Sequence, residues 1–248
     1  MTRVRRQPLR QAVPWSYHAV IATLRPVLMG VTRRDWSGGE NLPQGEGFIV
    51  AGNHYSEVDP VMLAHFLVDH GYAPFFLAKS SLFEVPLLGG ALRHLEQVPV
   101  YRASSRAGDA LEAARAALAA GRCIAIMPEG TLTRDPDLWP MRAKSGVGRL
   151  ALTSRAPVVP VAQWGAQEVL GHYARRPGNL LKRPVQHVSA GPPVDLSDLY
   201  DRAEEPRAHA EATRRVMTAI TRQLAQIRGE EPPDRPFDAA SRPEEPEV

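Results

Sequence analysis

From residue 47 to residue 228 short apolar runs alternate with stretches of helical periodicity, which restricts the chain to a layered fold with helices packed on a sheet. Gly47–Gly52, Phe75–Ala78, Gln97–Tyr101, Cys123–Met127, Pro157–Gln163 and Val185–Ala190 read as strands. Helical patterns run from Asp59 to Gly71, from Ser104 to Ala120 and from Val147 to Thr153, and a long one spans Pro206 to Arg228. The predicted fold class is α/β, a mostly parallel mixed sheet flanked by helices. Nothing repeats within residues 35–228 and no linker splits them, so they read as one domain. At 248 residues and 44% hydrophobic, the chain can bury a core without staples. Its single cysteine, Cys123, lies inside a predicted strand and reads as a buried small hydrophobe; no intrachain disulfide is possible, and a reducing compartment is expected.

Charge is distributed unevenly. The formal net charge is +3, yet residues 1–34 hold seven arginines (Arg3, Arg5, Arg6, Arg10, Arg25, Arg33 and Arg34) and no acid. Residues 229–248 hold seven acids, two arginines and five prolines, and read as a disordered acidic tail. A cationic arm fits either a nucleic acid or an anionic membrane face. Between Arg10 and Arg25 lies a 14-residue uncharged run with Trp15, Tyr17, Val20, Ile21 and Leu24. It is shorter than the roughly 20 residues a membrane-spanning helix needs. Pro14 and Pro26 punctuate it and no secretory cleavage pattern follows, so one or two short amphipathic helices are expected. Apolar faces flanked by arginines suit the lipid interface, although a helix packed on its own domain would read the same way. No aromatic-rich RNA motif or recognition-helix signature supports a nucleic-acid partner.

Ligands gather at the carboxyl ends of strands in sheets of this class, so the polar clusters directly after the apolar runs are the candidate sites. The first is Asn53-His54-Tyr55-Ser56-Glu57-Val58-Asp59. His54 in the loop and Asp59 at the helix start, before Pro60, bring an imidazole within reach of a carboxylate. That is the base and orienter of a catalytic triad. The same residues equally fit a local role, with Asp59 capping the helix and His54 bonding its own loop. No Gly-x-Ser-x-Gly elbow supplies a nucleophile, so the attacking hydroxyl would have to come from a substrate. No His-Glu-x-x-His and no cysteine cluster completes a metal site. The second cluster is Met127-Pro128-Glu129-Gly130-Thr131-Leu132-Thr133-Arg134. The third comprises Lys79 and Arg102, each following a strand as a phosphate site requires.

Asn53-His54 with Asp59, Arg102 closing a short strand, Pro128-Glu129-Gly130-Thr131 and Val158-Val159-Pro160-Val161 resemble, in order, the four blocks of the glycerolipid acyltransferases. The nearest branch is the 1-acylglycerol-3-phosphate, PlsC-like type. The resemblance spans residues 48–165, and Lys79-Ser80-Ser81-Leu82-Phe83 and Lys144-Ser145-Gly146 resemble segments between the blocks. Two departures stand out. Glu96 and Pro99 replace the glycine and aromatic usual in the second block, and Leu132 replaces the arginine that the third block places on substrate phosphate.

The resemblance implies transfer of a fatty acyl chain from acyl-CoA or acyl carrier protein to the free hydroxyl of 1-acyl-sn-glycerol 3-phosphate, giving phosphatidic acid. It implies His54 as base and Asp59 as its partner, Glu129, Gly130 and Thr131 near the acceptor, and Lys79 and Arg102 on its phosphate, with Arg134 or Lys144 as substitutes. No cofactor or metal is called for. A lysolipid acceptor gives the basic arm a reason, since a peripheral enzyme on the cytoplasmic face of the membrane meets its substrate there. The expected division is a membrane-associating segment 1–34, a catalytic domain 35–228 and a tail 229–248. The alternatives are another lipid or glycolipid acceptor, or a lipid- or anion-binding module without turnover.

Overall fold

The structure is a computed structural model describing residues 6–100, 107–174 and 176–239. Its strands are β1 (Arg33–Ser37), β2 (Phe48–Gly52), β3 (Pro74–Lys79), β4 (Val98–Val100), β5 (Cys123–Ile126), β6 (Val158–Trp164) and β7 (Val185–Ala190). They form one sheet in the order β1-β7-β6-β2-β5-β3-β4. Every pairing is parallel except β6 with β7. The helices are α1 (Trp15–Val31), α2 (Asp59–Asp69), α3 (Leu88–His94), α4 (Ala107–Ala119), α5 (Gly146–Ser154), α6 (Ala166–Val169) and α7 (Pro206–Arg228).

The alternation read from the sequence is the observed architecture. Strand periodicity sends Phe48 and Val50 to one face of the sheet, against Leu63, Phe66 and Leu67 of α2. Ile49 and Ala51 turn to the other face, where Leu150 of α5 and Val216 and Ile220 of α7 close the core. Each such fully buried Leu, Ile or Phe contributes about 2 kcal/mol. A side chain at Gly148 would place its Cβ 2.1 Å from the His209 carbonyl, so α5 approaches α7 only because this position is glycine. Cys123 is fully buried, as expected, and burial pushes its thiol well above the ordinary range.

β2 lies near the centre, hydrogen-bonded to β6 on one side and β5 on the other. After β2 the chain crosses towards β3, and after β6 it turns to β7 on the opposite side. The connections therefore diverge between β6 and β2, and in sheets of this class ligands gather outside the carboxyl ends of strands at such a point.

The N-terminal run forms one helix rather than two, continuing through Pro26. α1 packs Tyr17, Ile21 and Leu28 inward, and the Tyr17 hydroxyl donates to the Pro74 carbonyl at 3.0 Å. The arginines expected to form a free cationic arm are partly spent inside the fold. Arg25 and Arg34 both bind the fully buried Asp69 carboxylate, each at 2.6 Å, and Arg10 lies over the Tyr72 ring at 5.2 Å. The expected limit between residues 34 and 35 falls inside β1, which pairs with β7 from Arg33 onward. Among the described residues, no helix is long and apolar enough to cross a membrane.

Residues 229–239 of the expected disordered tail lie on the domain. Gly229 closes α7, and the Phe237 carbonyl accepts from the Arg142 N–H at 2.8 Å. Residues 1–5, which include Arg3 and Arg5, residues 101–106, which include Arg102, and residues 240–248 lie outside the described residues.

Candidate active site

The site is built at the carboxyl end of β2. Asn53 and Gln163 are both buried and exchange amide and backbone hydrogen bonds: Asn53 Nδ2 donates to the Gln163 carbonyl at 3.0 Å and its Oδ1 accepts from Gln163 N–H at 2.9 Å. This pins the end of β2 to β6, and His54 leaves the sheet from a fixed point. His54 Nδ1 lies 3.1 Å from Asp59 Oδ2, with 17% of the His54 side chain exposed and none of Asp59.

Asp59 is the first residue of α2, and its carboxylate reaches back to the loop, where it meets the His54 ring as its place at the helix start implied. Oδ2 accepts from Tyr55 N–H at 2.6 Å and Ser56 N–H at 2.8 Å as well as facing His54. Two backbone donors on that oxygen fix it as an acceptor, so Nδ1 of His54 is the donor and the lone pair of the neutral ring sits on Nε2. Burial raises the Asp59 carboxyl above its ordinary range, while the hydrogen bonds from His54, Ser56 and Tyr55 pull it down.

β5 delivers the second cluster beside the first. Glu129 is 2% exposed. Its Oε1 accepts from the His54 N–H and its Oε2 from the Met141 N–H, both at 2.9 Å. Burial pushes this carboxyl up to about 8, against the pull of the Met141 and His54 donors. The His54 carbonyl accepts in turn from Thr133 N–H at 2.7 Å. Glu129 therefore faces the protein, with both oxygens taken by backbone donors, rather than turning outward to hold an acceptor's glycerol part as the resemblance implied. Gly130, at φ 75°, makes the turn that lets the chain double back behind it.

The other expected residues lie at or beyond the carboxyl ends of β3 and β5. Lys79 ends β3, and Thr131, Arg134 and Lys144 follow β5; all four side chains are exposed. The Lys144 N–H is tied to the Pro128 carbonyl at 3.1 Å. Leu132, in the position where arginine was expected, is buried at 5% exposure. Among the described residues, no group of three or more His, Cys, Asp or Glu could hold a metal.

Sequence reading missed the braces behind the loops. The Arg228 guanidinium is stacked between Trp139 and Trp164, 4.1 and 4.5 Å from the ring centroids. It also donates to the Asp137 carbonyl at 2.7 Å. Trp164 packs on Tyr55 at 5.1 Å, and the Trp139 carbonyl accepts from the Thr133 hydroxyl at 2.7 Å. No spacing in the chain links residues 139, 164 and 228, so only the fold brings them together. The site as a whole presents one imidazole, held at Nδ1 and at its peptide, whose Nε2 is the nitrogen that can serve as a base, between loops that carry exposed cations.

Residues 33–164 match the Acyltransferase family. The 1-acyl-sn-glycerol-3-phosphate acyltransferase of Borreliella burgdorferi is 33% identical over 127 residues, covering 50% of this chain and 48% of that protein. Its counterpart in Bacillus subtilis is 29% identical over 126 residues, covering 51% and 60% respectively. The chain thus spans about half the length of the curated relatives it matches. The crystal structure of the 1-acyl-sn-glycerophosphate acyltransferase PlsC from Thermotoga maritima superposes with a TM-score of 0.64 at 23% identity, over 87% of this chain and 80% of that one, and so shares the fold. With its four blocks in order and the matched span exceeding half of its 248 residues, the chain belongs to the acyltransferase family.

Proposed function

We propose that the chain moves a fatty acyl group from a thioester, acyl-CoA or acyl carrier protein, to the free hydroxyl of 1-acyl-sn-glycerol 3-phosphate, forming phosphatidic acid. The His54–Asp59 pair carries this reading. His54 Nε2 takes the hydroxyl proton as the oxygen attacks the thioester carbonyl. The tetrahedral intermediate collapses with loss of the carbon–sulfur bond, and the imidazolium returns the proton to the departing thiolate. Asp59 holds the ring and steadies its positive charge. Base catalysis of this kind contributes about 10² to 10⁴ in rate. Lys79 and Arg102, supplemented by Arg134 or Lys144, hold the acceptor phosphate, and Gly130 and Thr131 line its glycerol part. Glu129 supports the site from behind. Backbone N–H groups near Gly130 or the Val158–Val161 block are the candidates for the oxyanion, a contribution of about 3 kcal/mol per donor.

The acceptor lives in a bilayer, and α1 supports attachment there. Trp15, Leu24 and Val27 are 80%, 39% and 57% exposed on a helix whose one acid-paired cation, Arg25, points inward to Asp69. The segment preceding β1 is accordingly assigned to peripheral attachment at the cytoplasmic face, and β1 through residue 228 to catalysis. A second reading, in which the acceptor is a different lysolipid or a glycolipid, is favoured by buried Leu132 at the family's arginine position.

Thiol release by the purified full chain from an acyl thioester, over a panel of lysophosphatidate, other lysolipids and glycolipids, tests both readings. Release that requires lysophosphatidate and disappears in His54→Ala supports the first, and release with another acceptor supports the second. Release unaffected by His54→Ala, or none with any acceptor, overturns the catalytic assignment.

A further inference from the structure

We infer that residues 170–174 and 176–183, between α6 and β7, form a second contact element for an anionic bilayer surface, set beside α1 at the rim of the His54 loop. The inference rests on the membrane-surface reading above and adds to it a part of the chain remote in sequence from the basic N-terminus.

Between Glu168 and Asp195 the chain holds no acid and four cations, Arg175, Arg176, Lys182 and Arg183. Two large apolar side chains in this stretch face outward: Leu181 is 93% exposed and Tyr173 is 57% exposed. The backbone that carries them is braced at both ends. The Leu170 carbonyl accepts from the Ser56 hydroxyl at 2.7 Å, and His172 Nδ1 lies 2.9 Å from the Tyr55 carbonyl. At the other end, Arg183 donates to the Met29 carbonyl at 2.8 Å in the last turn of α1, and Arg33 donates to the Arg183 carbonyl at 2.9 Å. Leu28 of α1 packs in one cluster with Tyr55, Met62 and Ala166, so α1, the His54 loop and α6, from which the segment leaves, share a common base.

A leucine held almost fully in water on a fixed turn gains by entering an apolar phase. Cations flanking it, with no acid near in sequence, gain from an anionic headgroup layer. Leu24 and Val27 are exposed as well, on the adjoining helix. This combination of apolar tips and cations is the chemistry of an interfacial element. Its anchorage at Tyr55 and Ser56 sets the bilayer next to His54, so a lipid hydroxyl reaches the base without leaving the interface.

The experiment uses the full chain with vesicles of phosphatidylcholine, with and without phosphatidylglycerol. Because Cys123 is fully buried, Leu181→Cys provides a single accessible thiol for an environment-sensitive fluorophore. The label is expected to shift to the blue and to be quenched by brominated lipid when anionic vesicles are added. Arg176→Ala with Lys182→Ala is expected to lower partitioning onto anionic vesicles about 25-fold, at about fivefold per cation. Thiol release with a short-chain, monomeric acceptor is expected to stay unchanged in that variant, which shows that it folds. Sedimentation with the label unshifted, or undiminished binding of the double variant, overturns this inference and leaves attachment through α1 standing. No binding of the unaltered chain to either vesicle overturns both.

Discussion

Glu129 holds His54 by its peptide while Asp59 holds it by its ring. The Glu129 Oε1 accepts the His54 N–H at 2.9 Å, and Asp59 Oδ2 faces His54 Nδ1 at 3.1 Å. Two carboxyl groups thus act on one residue, one at its peptide and one at its ring, and they differ in what their removal would do.

Asp59→Asn keeps the size of the side chain and removes the acceptor that fixes the proton on Nδ1. The expected result is a fall in kcat of about 10² or more, with little change in KM and a retained fold. Asp59→Ala also strips the Tyr55 and Ser56 N–H groups of their buried partner. It should cost a further 1 to 3 kcal/mol or so in urea denaturation.

Glu129 makes a pH prediction with a definite sign. Its carboxyl titrates near 8 in the folded chain against an ordinary value of 4.5. The folded state therefore holds one more proton between those values, and its contribution to stability falls as pH rises through them. Between pH 6 and pH 8 the unaltered chain should lose about 2 kcal/mol relative to Glu129→Gln, which has no proton to lose. Urea denaturation of both proteins at the two pH values measures it; parallel curves would show that the group titrates elsewhere.

Arg25 and Arg34 share the buried Asp69 carboxylate. Replacing both with alanine leaves that carboxylate uncompensated, at an expected cost of about 3 to 5 kcal/mol. Either single replacement leaves one partner and should cost clearly less. Limited proteolysis should then cut the double variant within α1 at a protease concentration that spares the unaltered chain.

Arg228→Met preserves the aliphatic stem between Trp139 and Trp164 and removes the cation. A loss of about 1 to 3 kcal/mol is expected from the two ring contacts together. Since Thr133 and Met141 on the same loop grip His54 and Glu129, kcat should fall with stability. Tryptophan emission reports the change directly, because both rings lose their charged neighbour.

The strands that built the core were legible because each is an uninterrupted apolar run, and β2, β5 and β6 lie close to their expected limits. β1 escaped notice because Arg33-Arg34-Asp35-Trp36-Ser37 offers a single large apolar residue, as an edge strand needs to bury only one side. α3 and its glycines resemble loop. The meeting of His54 and Asp59 could be read from their separation, since one lies in a loop and the other opens a helix. The inward turn of Glu129 could not, because it depends on donors from residues 54 and 141 that no local pattern announces. The arginines near the amino terminus show the same limit: their number was visible, but their commitment to Asp69 belongs to the packing.

The place of β2 in the sheet has a dynamic consequence. Neighbours on both sides lock its amides, so hydrogen exchange at Ile49 to Ala51 should require opening of the whole domain. β4, three residues long at the far margin, holds to β3 alone. Opening of that edge needs far less of the domain to move, so the sheet joins a locked centre, which carries His54, to a margin free to breathe on its own.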